Sequence, residues 1–72
     1  MRVTLRRRFG DRVAALRKAK RPFVSQEALA DRCGLARSYM SRIERGKANP
    51  SLDAIEILAG GLKISVAKLF ED

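Results

Sequence analysis

Two short helical segments separated by only three residues constrain the fold of this chain more than any other feature. The first segment, Gln26–Cys33, follows Ser25, whose side chain is suited to accept a hydrogen bond from a backbone N–H two or three residues on. Gly34 can adopt the left-handed conformation in which many helices end, and a second segment over residues 37–45 stops before Gly46. Two helices joined by so short a turn cross at a steep angle, which predicts a helix-turn-helix.

Three more helices are predicted around this pair by apolar spacing and by helix-end signals. A first helix covers about residues 5–20, a fourth begins at Leu52, and a short fifth follows the capping residue Ser65. We therefore expect an all-α fold in which residues 1–72 form a single domain and residues 26–45 form its helix-turn-helix.

The apolar residues that recur on the inner faces of these helices form the predicted core. In the first helix Leu5, Phe9, Val13 and Leu16 recur on one face at intervals of four, four and three, and the last three of them are predicted core residues. A chain of 72 residues gains a folding free energy of roughly a few kcal/mol from such a core, to which dimerisation could add. Cys33 is predicted to be a small apolar member of this core. The other predicted members are Phe9, Val13, Leu16, Leu29, Leu35, Met40, Ile43, Leu52, Ile55, Leu58, Leu62, Leu69 and Phe70.

Positive charge is concentrated at the N-terminal end. Residues 1–22 hold nine basic residues and one acidic residue, and so carry the whole formal net charge of +8. A polyanion is the natural partner of such an end, because neutralised phosphates release condensed counterions; the alternative is a solvated face that only aids solubility. Residues 1–8 are expected to form a basic extension that tracks phosphates, enters a minor groove or is a mobile tail. Its arginines are Arg2, Arg6, Arg7 and Arg8.

The residue types that the chain lacks exclude several classes of function. With no histidine and a single cysteine, Cys33, the usual zinc ligand sets, an internal disulfide and Ser-His or Cys-His catalytic pairs are excluded. No metal, cofactor or small-molecule site is expected. No apolar run approaches the roughly 20 residues that span a bilayer, and the N-terminal segment lacks the apolar stretch of a secretion signal. We expect a cytoplasmic protein that is not an enzyme and does not bind membranes.

The stretch that begins at Ser25, SQEALADRCGLARSYMSRIERGKANPS, resembles the helix-turn-helix of the Cro and phage-repressor type, the XRE family. The resemblance rests on the Ser-Gln start, Ala30, Gly34 in the turn, the Ser-Tyr-Met-Ser-Arg-Ile-Glu run and the exit after Gly46. With LRKAK in the first helix and ISVAKLF near the end, it covers about residues 9–70. It implies a compact five-helix, lambda-repressor-like DNA-binding domain of a transcriptional regulator, similar to phage repressors and restriction-modification controller proteins.

The resemblance also implies which residues read the DNA sequence. Arg37, Ser38 and Arg42 match positions that face base edges in the major groove. The spacing supports this independently, because the three share one helix face while Met40 and Ile43 turn inward. An arginine can bond guanine O6 and N7 together, so at least one G·C pair is expected in each half-site.

Further matched residues are implied in contacts with the DNA backbone. Gln26 begins the second helix, where the backbone N–H groups and the helix dipole favour an anion such as phosphate. Tyr39, Lys47 and Asn49 are expected to flank the backbone nearby.

Other matches and departures concern the scaffold. Arg17 and Glu44 match a pair that in this family bridges the first and third helices, and that fixes their packing more than it adds net stability. Ala36 occupies the N-cap of the third helix, where a missing hydroxyl typically costs about 1 kcal/mol. Lys63 stands where a glycine normally ends the fourth helix, whereas two glycines at residues 60–61 lie inside it. The fourth helix is therefore expected to end early.

The leading hypothesis is a homodimer that binds a palindromic operator, with two recognition helices in successive major grooves about 34 Å apart. The resemblance places the dimer interface in the C-terminal region, where an apolar patch is expected from Ile57, Ile64, Val66 and Phe70. One alternative is an antitoxin-like protein-interaction module with secondary DNA binding, which predicts binding insensitive to the loss of Arg37 and Arg42. Another is a non-specific nucleic-acid binder, which predicts a steep salt dependence and little preference among duplexes.

Overall fold

The structure, a computed structural model, describes residues 3–71 and folds them into five helices. These residues contain no strand, which confirms the expected all-α fold. The predicted turn is present, since Gly34 ends one helix at a positive φ of 65°. The helices are α1 (Leu5–Lys18), α2 (Gln26–Cys33), α3 (Arg37–Glu44), α4 (Leu52–Leu62) and α5 (Val66–Leu69).

Side-chain hydroxyls cap the N-termini of four of these five helices. Each accepts a hydrogen bond of 3.0 to 3.3 Å from the backbone N–H three residues on, and so satisfies a donor that a helix start leaves unpaired. The exception is α3, whose N-cap Ala36 makes no side-chain hydrogen bond, as expected. The four capping residues are Thr4, Ser25, Ser51 and Ser65.

Two helices end earlier than predicted. The last residue of α1 is Lys18 instead of Lys20, and Nη1 of Arg21 donates to the backbone oxygens of both residues, at 2.9 and 2.8 Å. The last residue of α3 is Glu44, one residue earlier than predicted, and Gly46 turns the chain at a positive φ of 71°. The Arg21 guanidinium thus satisfies carbonyl groups that the end of α1 leaves without a helical partner.

The fourth helix does not end early, which corrects the expectation from its two glycines. It continues through Gly60 and Gly61 to Leu62, and Lys63 ends it in the left-handed conformation, at φ 59°. A Cβ atom on Gly61 would lie 2.5 Å from Sγ of Cys33, so the glycine lets α4 pack closely on α2. This close packing offsets the low helix propensity of glycine.

Most of the predicted core is buried, but two of its members are not. Leu52 is 82% exposed because it lies six residues before Leu58, about 120° round the helix, whereas Ala54 lies one turn before Leu58 and is buried instead. Phe70 follows the end of α5 and remains 42% exposed, although its ring stacks on Phe9 with the centroids 5.1 Å apart. The prediction that Leu52 and Phe70 belong to the buried core was wrong.

The core also contains residues outside the helices. Val24 precedes α2 and Ala48 follows α3, and both are buried, whereas Leu5 at the start of α1 is exposed. Helical periodicity identifies inward-facing residues within helices only, so it could not find the two buried connection residues. The predicted core residues that are only partly buried against this core are Leu16, Leu35 and Ile55.

The first helix covers the inner side of α3. A Cβ atom on Gly10 of α1 would collide with the backbone oxygen of Ile43, so the glycine allows the two helices to approach closely. Met40 and Ile43 are almost completely buried on that side. The opposite face of α3 is consequently left at the surface of the protein.

Candidate nucleic-acid interface

The exposed face of α3 carries the three residues that were predicted to read bases. Arg37, Ser38 and Arg42 are all exposed, while Met40 and Ile43 on the same helix are buried in the core. Burial of those two residues fixes the rotation of α3 about its axis. The structure thus leaves all three predicted side chains at the surface of α3, and two of them carry guanidinium groups.

The side chain of Arg37 makes an ion pair with a residue of α2. Its Nη1 lies 3.4 Å from Oε2 of Glu27, and the two side chains are 64% and 66% exposed. Glu27 was not among the predicted site residues. The two residues are ten positions apart on either side of the turn, so only the folded arrangement of α2 and α3 shows that they are neighbours.

The side chain of Arg42 packs over an aromatic ring. The carbon atom at the centre of its guanidinium lies 5.5 Å from the centroid of the Tyr39 ring. A cation–π contact of this kind is worth about 0.5–1 kcal/mol at an exposed site. Tyr39 is half-buried and packs against the core, so it gives the exposed Arg42 a fixed support.

A buried ion pair lies behind this surface. Arg17 of α1 donates from Nε and Nη2 to the two carboxylate oxygens of Glu44, at 2.7 and 2.8 Å, and from Nη1 to the backbone oxygen of Val24, at 3.2 Å. The pair implied by the resemblance is therefore present. Gln26 joins it, because its Nε2 donates to Oε1 of Glu44 at 3.2 Å. The side chain at the start of α2 is thus tied to the end of α3.

Two predicted backbone-contacting residues lie in the connection after α3. Lys47 and Asn49 are exposed, and the residue between them, Ala48, is buried. The backbone N–H of Lys47 donates to the backbone oxygen of Arg42 at 2.8 Å, which holds the connection against the end of α3. The buried alanine anchors the segment and leaves the two polar side chains pointing to the surface.

The predicted basic extension is helical for part of its length. Arg6, Arg7 and Arg8 lie in α1 and are exposed, and Arg7 makes an i,i+4 ion pair with Asp11 at 3.4 Å. The fourth arginine of the predicted extension, Arg2, lies outside the described residues. This end of α1 lies beside the connection that follows α3, since a Cβ atom added to Gly46 would be 2.9 Å from Cα of Arg7.

Residues 3–71 contain no group of three or more Cys, Asp or Glu residues that could hold a metal ion, and none of their helices is long and apolar enough to cross a membrane. Cys33 is buried, its thiol donates to the backbone oxygen of Ile57 at 3.6 Å, and burial raises its pKa. It is a structural residue of the core, as predicted.

The predicted dimerisation patch is partly exposed. Ile57, Val66 and Phe70 are each 41–42% exposed, which is high for large apolar side chains. Ile64 is partly buried and packs against the core of its own chain. Three of the four predicted residues are therefore exposed, and the fourth packs within its own chain.

Comparisons with known proteins agree on one family. A family model described as "Helix-turn-helix domain" matches residues 8–69. The control protein C.MunI of Mycoplasma sp is 45% identical over 90% of this chain and 86% of its own length. The crystal structure of the restriction-modification controller protein C.AhdI from Aeromonas hydrophila superimposes with a TM-score of 0.85, at 45% identity over 90% of this chain and 96% of that one. The structure of the biofilm regulator SinR in complex with DNA has a TM-score of 0.78, at 38% identity over 88% of this chain and 98% of that one.

Proposed function

This chain belongs to the Cro/C1-type (XRE) helix-turn-helix family of DNA-binding transcriptional regulators, and on that premise we propose that it acts as a homodimer on a palindromic operator. In this proposal α3 of each protomer enters the major groove of one half-site, and the two grooves lie about 34 Å apart along the duplex. The two-fold symmetry of the dimer then matches that of the operator.

The observation that carries the proposal is the exposed face of α3. Arg37, Ser38 and Arg42 project from a helix whose rotation is fixed by the burial of Met40 and Ile43. An arginine side chain can bond O6 and N7 of guanine together, and each good pair of this kind is worth about 1–3 kcal/mol of discrimination against a wrong base. Serine adds a weaker contact. The related protein SinR was solved in complex with DNA, which supports DNA as the ligand of this chain.

Contacts with phosphates hold α3 in register. Gln26 lies at the N-terminus of α2, where backbone N–H groups and the helix dipole favour an anion. In this proposal Tyr39, Lys47 and Asn49 flank the DNA backbone beside α3. Such contacts set the position of the protein on the duplex and carry no sequence information of their own.

The dimer forms, in this proposal, through the C-terminal region. Ile57, Val66 and Phe70 are large apolar side chains that one protomer leaves at its surface, and a two-fold contact between copies buries them, with Ile64 beneath. The core of a domain of this size supplies a folding free energy of only about a few kcal/mol. The apolar area buried between two protomers therefore also stabilises the fold.

Selection of bound duplexes from a random pool, at physiological salt, tests this function. A two-fold symmetric site that contains at least one G·C pair in each half, bound by two protomers, is the expected result. No enriched sequence, together with a steep salt dependence, would instead identify a non-specific binder. No measurable binding to any duplex would favour the protein-interaction module.

A further inference from the structure

The ion pair between Glu27 and Arg37 joins the first turns of two helices. Glu27 is in the first turn of α2, and Arg37 is the first residue of α3. Nη1 of Arg37 and Oε2 of Glu27 are 3.4 Å apart, and both side chains are mostly in solvent. The proposed function turns this surface towards DNA, so an acidic side chain here lies close to phosphates.

The local electrostatics favour an anion at this place. Each helix N-terminus carries a partial positive charge, Arg37 adds a full one, and Ala36 supplies no capping acceptor to α3. In the free protein the carboxylate of Glu27 is the anion that pairs with Arg37. On DNA a phosphate would be drawn to the same positive end, so Glu27 and phosphates compete for Arg37.

We propose that Glu27 is a specificity-determining residue, which holds one edge of the Arg37 guanidinium, keeps it from phosphates on non-operator DNA and leaves it available to guanine. This inference rests on the proposed function, in which Arg37 reads a base. Arginine has five N–H donors in a planar fork, and Glu27 engages only Nη1. Enough donors remain for O6 and N7 of a guanine.

The two DNA-bound states differ in what Arg37 gains. On non-operator DNA, pairing of Arg37 with a phosphate would exchange one ion pair for another and leave Glu27 unpaired beside the DNA, so Arg37 stays with Glu27 and gains no phosphate contact. On the operator, Arg37 keeps Glu27 and gains a guanine. The Glu27 carboxylate therefore weakens non-specific binding more than it weakens operator binding. The ratio of operator affinity to non-specific affinity rises as a result.

Glu27→Gln tests this inference, because it removes the charge and keeps the size of the side chain. Asp31→Asn is the matched control, since Asp31 is an exposed carboxylate one helical turn further along α2. Kd is measured on the selected operator and on a random duplex of equal length, over a range of salt concentrations. Circular dichroism checks that each variant is folded.

Glu27→Gln is expected to tighten binding of the dimer to the random duplex roughly three- to tenfold and to change operator binding much less. The slope of log K against log salt on the random duplex is expected to steepen by about 0.9 per protomer, because Arg37 now neutralises a phosphate. Asp31→Asn is expected to change both affinities by one common factor.

The inference is overturned if Glu27→Gln also changes both affinities by one common factor and leaves the difference between the two salt slopes unaltered. Arg37→Ala separates this outcome from a failure of the proposed function. If Arg37→Ala lowers the preference for the operator and Glu27→Gln does not, only the role of Glu27 is refuted. If Arg37→Ala leaves the preference unchanged, base reading by Arg37 is refuted, and the role of Glu27 with it.

Discussion

Glu44, the last residue of α3, accepts two hydrogen bonds from the guanidinium of Arg17 in α1, and each of the two side chains is only 7% exposed. The same carboxylate accepts a third bond from Nε2 of Gln26 at the start of α2. Three helices are thus joined at one buried group directly behind the exposed face of α3. This arrangement fixes the orientation of α3 relative to α1 and α2. It therefore also fixes the direction of the side chains on the exposed face of α3.

Removal of Arg17 is expected to destabilise the domain strongly. Arg17→Leu leaves the Glu44 carboxylate buried without its cation, which typically costs about 3–5 kcal/mol of unfolding free energy. Urea or thermal unfolding measures the loss. Asp11→Asn, which removes the exposed partner of Arg7, is the control and is expected to cost less than about 1 kcal/mol. The double variant Arg17→Leu, Glu44→Leu is expected to recover most of the loss; equal losses in the single variant and the control would contradict the role of the pair.

The two adjacent glycines of α4 are expected to respond in opposite directions to alanine. Gly61→Ala places a Cβ atom 2.5 Å from Sγ of Cys33, and overpacking of this kind costs about 1–3 kcal/mol. Around Gly60 an added Cβ meets no atom within 4 Å, so Gly60→Ala is expected to stabilise the helix by up to about 1 kcal/mol. Thermal unfolding of the two variants decides the matter, and a stabilising Gly61→Ala would show that α2 and α4 are not closely packed.

The left-handed residue at the end of α4 offers a stabilising substitution. Lys63 has φ 59° and ψ 45°, a conformation that costs a residue with a Cβ atom roughly 1 kcal/mol relative to glycine. Lys63→Gly is therefore expected to raise the free energy of unfolding by about 0.5–1 kcal/mol. Lys20→Gly, outside the helices, is the control that reports the general cost of an added glycine. A Lys63→Gly variant no more stable than this control would refute the helix-end geometry.

A charge in the C-terminal apolar patch is expected to abolish self-association. Ile57→Glu introduces a carboxylate at an exposed residue of the proposed dimer interface, where burial of an unpaired charge is costly. Phe23→Glu is the matched control, because Phe23 is equally apolar and 63% exposed but lies between α1 and α2. Sedimentation at several concentrations is expected to show a dimer for wild type and Phe23→Glu, and a monomer for Ile57→Glu. A monomeric wild type would place the interface in doubt.

Local sequence signals predicted much of this structure. The capping hydroxyls of Ser25 and Ser65 and the left-handed Gly34 act within a few residues of their own position, and the helix ends that they define are confirmed. The family relationship and the expectation that the protein is not an enzyme are confirmed by relatives that are transcriptional regulators.

Features that depend on contacts between distant segments could not be predicted in this way. A glycine is needed at residue 61, inside α4, because Cys33 of another helix packs against it. Local helix propensity gives no information about that contact. Leu52 was assigned to the core because it continues the apolar spacing of α4, but at the start of the helix this spacing no longer falls on the inner face. The Glu27–Arg37 ion pair could not be predicted either, because it forms only when α2 and α3 cross.

Affinity measurements with Arg42→Ala on the selected operator and on its single-base variants test the central claim, that the exposed face of α3 reads DNA sequence. The control is Arg32→Ala, an equal loss of charge from the last turn of α2. Arg42→Ala is expected to cost about 1–3 kcal/mol on the operator and to relax the preference at one base pair of each half-site, whereas Arg32→Ala leaves every preference intact. If Arg42→Ala leaves all base preferences as they are in the wild type, α3 does not read the operator through this residue.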